Sequence, residues 1–188
     1  MIEVVLAPGV KLRLTVGPAA TEEADSALPV VDVSAVPGAR VVMRRGFTMP
    51  EAHVRAACVT APADRWAPGI EELVLGRATG LAIGGLGAKI DRWEPGAIRA
   101  EGGRFEQTLT GRAGEREAAW IRHELVFVGS DHDALLCSVG CEGAACREVV
   151  SSVAIEGTLV GPPPPSLLVQ AVLWGSGAAL SGGGRRGN

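Results

Sequence analysis

Three of the four cysteines lie close together, within the stretch LLCSVGCEGAAC at residues 135–146. Cysteine side chains can ligate a metal, form a disulfide, react as nucleophiles or pack in a core. If residues 135–142 form a β-strand, Cys137 and Cys141 share one face but lie roughly 13 Å apart along it. That separation is too large for a disulfide, and too large for two sulfur ligands of one zinc ion.

Cys141 and Cys146 flank the turn EGAA between a predicted strand and a predicted helix, so this pair can approach each other. One interpretation is a disulfide, and another is a reactive thiol at Cys146, where the helix begins. Cys58 and Cys137 lie on apolar strand faces. They are predicted to be core residues, because free cysteine is among the most buried residue types.

The histidines offer little further chemistry. SDHD at residues 130–133 contains the residue types of a hydrolase triad, but triad members come from distant segments, so a hairpin turn is the better interpretation. His123 shares a predicted strand face with apolar residues and is predicted to be a core histidine, with a base or ligand beside a thiol as the alternative. The sequence predicts no cofactor and no metal ion.

The composition argues against one class of partner. The net charge is −3 and the sequence pI is about 5.7, whereas nucleic-acid-binding domains usually carry a basic face. Four Trp, three Phe and no Tyr provide few rings on which bases could stack. The N-terminus lacks the pattern of a secretory signal, which predicts a cytoplasmic protein with reduced cysteines.

The hydrophobic pattern predicts an α+β fold, in which an antiparallel sheet of about six strands is flanked by two main helices. A helix is expected from Pro68 to Leu81, and a second over GAACREVVSSVAI at residues 143–155. The remaining periodic segments are predicted strands, over residues 2–6, 11–16, 30–33, 39–44, 53–60, 98–110, 116–128 and 134–142.

Residues 1–157 are predicted to form one domain, and residues 158–188 a Pro-rich linker with a short apolar segment and a Gly/Arg-rich tail. Residues 166–184 carry no charge and would rise about 28 Å as a helix, close to the thickness of a bilayer core. A membrane anchor is therefore an alternative. The favoured interpretation is a short docking helix from Leu167 to about Trp174.

The predicted meander GGRFEQTLTGRAGEREAAWIRHELVFVGSDHDALLCSVGC is followed at once by ACREVVSSVAI. In this order the chain resembles the Mog/PsbP/DcrB-like α/β/α sandwich superfamily over about residues 1–156. The resemblance implies a mostly non-enzymatic role. Members include a Ran-binding nuclear-import factor, photosystem extrinsic subunits, bacterial envelope proteins and chaperones for type VI secretion effectors. The resemblance assigns no binding residues, because fold alone does not fix function.

These observations favour a non-catalytic protein-binding adaptor or chaperone-like domain. One alternative is a thiol or metal site built on Cys141, Cys146 and a histidine. Another is a membrane-tethered envelope protein anchored by residues 166–184. The predicted protein-binding surface comprises Arg55, Arg104, Arg122 and Glu124 on the sheet, with Leu167, Leu168, Val172 and Trp174 in the tail.

Overall fold

Two antiparallel β-sheets pack against each other. The computed structural model describes residues 1–62 except 29, 32, 35 and 36, and residues 90–163. A three-stranded sheet and an eight-stranded sheet contribute side chains to one shared hydrophobic core. The first predicted helix, at residues 68–81, lies outside the described residues.

The small sheet is built from a hairpin and a late strand, in the order β1-β2-β11. Its strands are β1 (Ile2–Ala7), β2 (Val10–Leu14) and β11 (Ala154–Gly157). Leu12 and Leu14 are buried and alternate with half-buried Lys11 and Arg13, as the sequence pattern predicts. The outer face therefore carries charge, while the inner face joins the core.

The large sheet has the order β3-β4-β5-β10-β9-β8-β6, and β7 also pairs with β8. Its strands are β3 (Thr21–Glu22), β4 (Arg40–Met49), β5 (Ala52–Ala61), β6 (Arg92–Pro95), β7 (Arg99–Glu101), β8 (Arg104–Ala113), β9 (Arg116–Val128) and β10 (Asp133–Gly143). The predicted strand 98–110 is divided by a turn at Gly102 and Gly103, which both have positive φ.

Both faces of the large sheet bury apolar side chains near its centre. On the face towards the small sheet, Val54, Val126 and Val139 lie in the main core. On the opposite face, Leu125 and Phe127 form a second cluster with other residues of β9, β10 and neighbouring segments. Central strands that are buried on both faces keep the register of the sheet fixed.

The predicted α+β fold class, an α/β sandwich with two main helices, is wrong. The structure is almost entirely antiparallel sheet, and the described residues contain one α-helix, α1 (Cys146–Ser151), and a 3₁₀ turn at Asp25–Ala27. The predicted helix 143–155 ends early because Ile155 pairs with Leu12 of β2 instead of continuing the helix. The predicted strand 30–33 is also wrong, since described residues 30, 31 and 33 are not in a strand.

Candidate functional site

All four cysteines lie in the described part of the chain, and none is a free thiol. Cys58 of β5 and Cys137 of β10 face each other in the antiparallel register, with their Cα atoms 4.1 Å apart, and are joined by a disulfide. Their exposures are 0% and 1%. The predicted burial is present, but sequence reasoning treated the two residues as separate core thiols and missed the pairing.

Cys141 and Cys146 form the second disulfide, with Cα atoms 5.3 Å apart. It links the end of β10 to the first residue of α1 across the turn EGAA. The disulfide was one of the two interpretations that the sequence allowed for this pair. Both side chains are completely buried. Neither is the reactive thiol of the alternative interpretation, because both sulfur atoms are already bonded.

The described residues contain no group of three His, Cys, Asp or Glu side chains that could hold a metal ion. His123 instead lies within the sheet, completely buried, with its Nδ1 atom 2.8 Å from the Ser138 hydroxyl. Burial lowers the pKa of His123 to about 4. The imidazole is therefore neutral at pH 7, and together with Ser138 it holds β9 to β10.

Three of the predicted surface residues lie in a charge network that binds β11. Glu124 is 1% exposed, and its carboxylate accepts hydrogen bonds from the Ile155 backbone N–H and from Arg122, each at 2.8 Å. Arg104 donates to the Ile155 carbonyl oxygen. These side chains satisfy the backbone of a strand that, within the described ranges, pairs with β2 on one side alone. Arg104, Arg122 and Glu124 are thus part of the structure that joins the two sheets.

Arg55, the fourth predicted sheet residue, is on the opposite face. Val139 pairs with Arg122 of β9 and with Ala56 of β5, so Arg122 and Ala56 lie on the same face of the sheet. Arg55 precedes Ala56 in the strand and therefore lies on the other face. The four side chains do not form one surface. The tail residues Leu167, Leu168, Val172 and Trp174 lie outside the described residues.

Arg55 belongs to a cluster at the β4 side of the large sheet. Residues 21–28, TEEADSAL, cross this edge, and we call them the acidic strap. The Glu23 carboxylate hydrogen-bonds His53, accepts from the Thr48 hydroxyl at 3.2 Å, and lies 3.4 Å from the Arg55 Nε atom. Burial by itself would raise the pKa of Glu23, but hydrogen bonds from His53 and Thr48 and the charges of His53 and Arg55 hold that pKa below its usual value.

Two further carboxylates of the acidic strap pair with adjacent arginines of β4. Glu22 pairs with Arg45, and both oxygens of Asp25 accept from Arg44, at 2.8 and 2.9 Å. No strand or helix is predicted for this segment from the sequence. The signal that could have identified it is three acidic residues within four positions, matched by the Arg-Arg pair at residues 44–45.

The strands beneath the acidic strap carry several basic side chains. We call this group the basic end of the large sheet, and it consists of Arg40, Arg44, Arg45, His53 and Arg55. Arg40 and Arg45 are exposed, and the other three are half-buried. This local excess of basic side chains contrasts with the net charge of −3 for the whole chain.

The described start of the predicted linker contacts the domain. The Val160 N–H donates to the Phe127 carbonyl oxygen at 3.0 Å, and the imidazole of His132 in the β9–β10 turn donates to the Gly161 carbonyl oxygen at 2.8 Å. No helix among the residues that the structure describes is long and apolar enough to cross a membrane. The anchor prediction for residues 166–184 concerns residues outside that part of the chain.

The chain is similar in structure to a protein whose crystal structure is known. No family model matches the chain, and no curated protein matches it. The chain is similar to the crystal structure of LpqN, which is involved in cell envelope biogenesis of Mycobacterium tuberculosis, with a TM-score of 0.42 and 14% identity. The similarity covers 82% of this chain and 89% of that one. The resemblance to the Mog/PsbP/DcrB-like superfamily stays a prediction.

Proposed function

We propose that the protein is a non-catalytic protein-binding domain that works in an oxidising compartment. The observation that carries this proposal is the state of the cysteines, since all four form disulfides and none exceeds 1% exposure. Disulfides persist in secreted, periplasmic and envelope proteins and are rare where thioredoxin and glutathione keep thiols reduced. This observation argues against the cytoplasmic location that the N-terminal pattern predicts.

The positions of the residues that could do chemistry support a binding role. A redox-active cysteine needs an accessible sulfur atom, whereas the sulfur atoms of Cys141 and Cys146 belong to buried residues. His123 and Ser138 hydrogen-bond each other inside the sheet, and Glu124 binds the backbone of Ile155. Each of these side chains stabilises the fold.

The surface that we assign to a protein partner is the basic end of the large sheet. β4 is close to the edge of the sheet, where the two residues of β3 are the described residues that pair with it. Edge strands offer backbone hydrogen-bonding groups to a second chain, and charged side chains around them determine which chain can approach. Residues 40–45 of β4 lie beyond the part that β3 pairs.

The compartment is tested by trapping thiols in the cells that make the protein. Cells are quenched in acid, the protein is denatured, free thiols are alkylated, and the intact mass is measured. We expect no alkylated cysteine, and four after reduction of the same sample. Four alkylated cysteines without reduction would contradict an oxidising compartment and the proposed function with it.

The surface is tested with a photo-crosslinking residue at Val41, on the edge of β4, or at Val5, an exposed valine on the edge strand β1 of the small sheet. We expect a discrete protein adduct from position 41 and none from position 5. The same adduct from both positions, or an adduct from position 5 alone, would show that the basic end is not the partner surface.

A further inference from the structure

We propose that the acidic strap occupies the place of the partner, and that the partner presents an extended acidic segment which displaces it from the edge of β4. The inference rests on the proposed binding role and adds the chemistry of the partner. Recognition would then be β-strand addition, in which main-chain hydrogen bonds give affinity and side-chain contacts give specificity.

The acidic strap already binds β4 as a short added strand. Thr21 pairs with Thr48 and Glu22 pairs with Phe47, and the Glu23 N–H donates to the Gly46 carbonyl oxygen at 2.9 Å. After Glu23 the segment leaves the strand course and enters the 3₁₀ turn. With so short a ladder, the main chain alone holds the strap weakly.

Side chains supply the rest of the attachment, and they hold β4 from both of its faces. On the face towards the small sheet, which Phe47 shares, Arg45 pairs with Glu22. On the opposite face, Arg44 binds Asp25 and Thr48 binds Glu23. The Asp25 side chain is 75% exposed and the Glu22 side chain 47%. Exposed ion pairs contribute little each and are screened by salt, so the Glu22 and Asp25 contacts can be exchanged. The Glu23 side chain is 14% exposed, so an incoming segment has to place a carboxylate of its own at that position.

Gly46 provides the space that the strap occupies. A β-carbon at Gly46 would lie 2.5 Å from the Glu23 Oε2 atom and 2.6 Å from the Leu28 Cδ2 atom. The carboxylate therefore lies over bare backbone, between Thr48, His53 and Arg55, and Leu28 buries its side chain alongside. An incoming segment with an acidic residue and a following apolar residue fits the same place.

Displacement leaves a basic edge. The strap brings three carboxylates to the basic end, and its departure would leave Arg44, Arg45 and Arg55 without these partners. An acidic segment restores this charge balance, while a basic or neutral one does not. Opposite charge at an interface favours encounter with the right partner and disfavours the wrong one.

The test uses the sequence of the strap itself as a probe. A labelled peptide of residues 19–28, AATEEADSAL, and a neutral peptide, AATQQANSAL, are titrated against the full chain by fluorescence anisotropy. The receptors are the wild type, a strap-neutralised variant (E22Q/E23Q/D25N), and a matched control (E3Q/E94Q/E156Q) that neutralises three ion-paired carboxylates elsewhere.

We expect the acidic peptide to bind the strap-neutralised variant with a Kd at least about tenfold lower than its Kd for the wild type or the matched control. The reason is that the neutral strap competes poorly with the peptide. The neutral peptide should bind the same variant about tenfold more weakly than the acidic one. Added salt should weaken binding of the acidic peptide, and R44Q/R45Q in the same background should abolish it.

Equal affinity for both peptides, or no binding to the strap-neutralised variant, would overturn the inference. A second receptor, with residues 21–28 replaced by a Gly-Ser segment of equal length, serves if the first does not fold with both disulfides formed. Failure of both receptors to fold also overturns it, because the strap would then be required for the fold. The outcome of the peptide titration does not affect the thiol-trapping test of the compartment. Reduced cysteines in cells would contradict the proposed function without changing the measured peptide affinities.

Discussion

The centre of the large sheet and its β4 edge are held together in different ways. At the centre, β5 and β10 are joined by a disulfide, and Val54, Cys58, Val139 and Cys141 have 0% exposure. At the edge, the acidic strap is held by two paired residues and by ion pairs that reach 75% side-chain exposure. One sheet therefore combines a covalently linked centre with an edge attachment that can be exchanged.

The difference separates stability from binding. Residues that maintain the fold are buried, apolar or covalently bonded, so solvent and salt affect them little. Residues suited to recognise a partner keep one side in water, where a competing charge can replace an existing one. If the two regions are independent, substitutions at the centre should lower the free energy of unfolding strongly, and substitutions in the strap should change it least.

The largest effect should come from removing the disulfide at the centre. Cys58→Ala/Cys137→Ala opens a link across 79 residues and should lower the free energy of unfolding by about 4.5 kcal/mol, because long loops gain most entropy in the unfolded chain. Cys141→Ala/Cys146→Ala, across 5 residues, should cost about 2 kcal/mol. Urea unfolding measures both, and an equal or larger loss for the short link would contradict this ranking.

Glu124→Ala should be the most damaging single substitution in the charge network. It leaves the Arg122 guanidinium and the Ile155 N–H without their buried acceptor, at a cost of about 3 to 4 kcal/mol. Glu106→Ala, which removes the half-buried carboxylate 2.5 Å from Arg122, is the matched control and should cost less than half as much. Thermal or urea unfolding decides, and similar losses would show that burial of Glu124 is unimportant.

Acid should destabilise the centre through His123. Burial lowers the pKa of His123 in the folded protein to about 4, below the ordinary value of 6.5, so between these pH values the unfolded chain binds a proton that the folded chain excludes. The free energy of unfolding should therefore fall by about 3 kcal/mol as the pH drops from 6.5 to 4. His123→Gln should remove this part of the slope. Parallel pH profiles of the two proteins would contradict the prediction.

Neutralising the strap should have the smallest effect on global stability. E22Q/E23Q/D25N weakens two exposed pairs and the contacts of Glu23, whose side chain is 14% exposed, so the free energy of unfolding should fall by about 1 to 2 kcal/mol at pH 7. Urea unfolding beside the E3Q/E94Q/E156Q control is the measurement. A loss as large as that from the central disulfide would mean that the strap is part of the cooperative core.

Local pattern predicted the strands better than it predicted their partners. The alternation of Val54, Ala56 and Cys58 fits one buried strand face, and β9 has the bounds that the sequence predicted. A strand with regular alternation can be recognised from its own residues. The disulfide between Cys58 and Cys137 depends on the pairing of two strands whose cysteines are 79 residues apart. The hydrophobic period within each strand does not show which strands pair.

The errors have the same origin. Val149, Val150 and Val153 follow helical spacing, yet the helix ends at Ser151 because the edge of β2 accepts Ile155 as a strand residue. The three acids of the strap were visible in the sequence, but their importance depends on Arg44 and Arg45, about twenty positions away. A site that depends on such contacts requires the fold before it can be identified.

Hydrogen exchange measured by mass spectrometry at pH 7 tests most directly whether the strap is released independently of the disulfide-linked centre. In the strap-neutralised variant, amides of residues 21–28, including the Glu23 N–H that bonds Gly46, should exchange about tenfold faster than in the wild type, while amides of β5 and β10 keep their protection. Faster exchange in both regions, or in neither, would contradict the account.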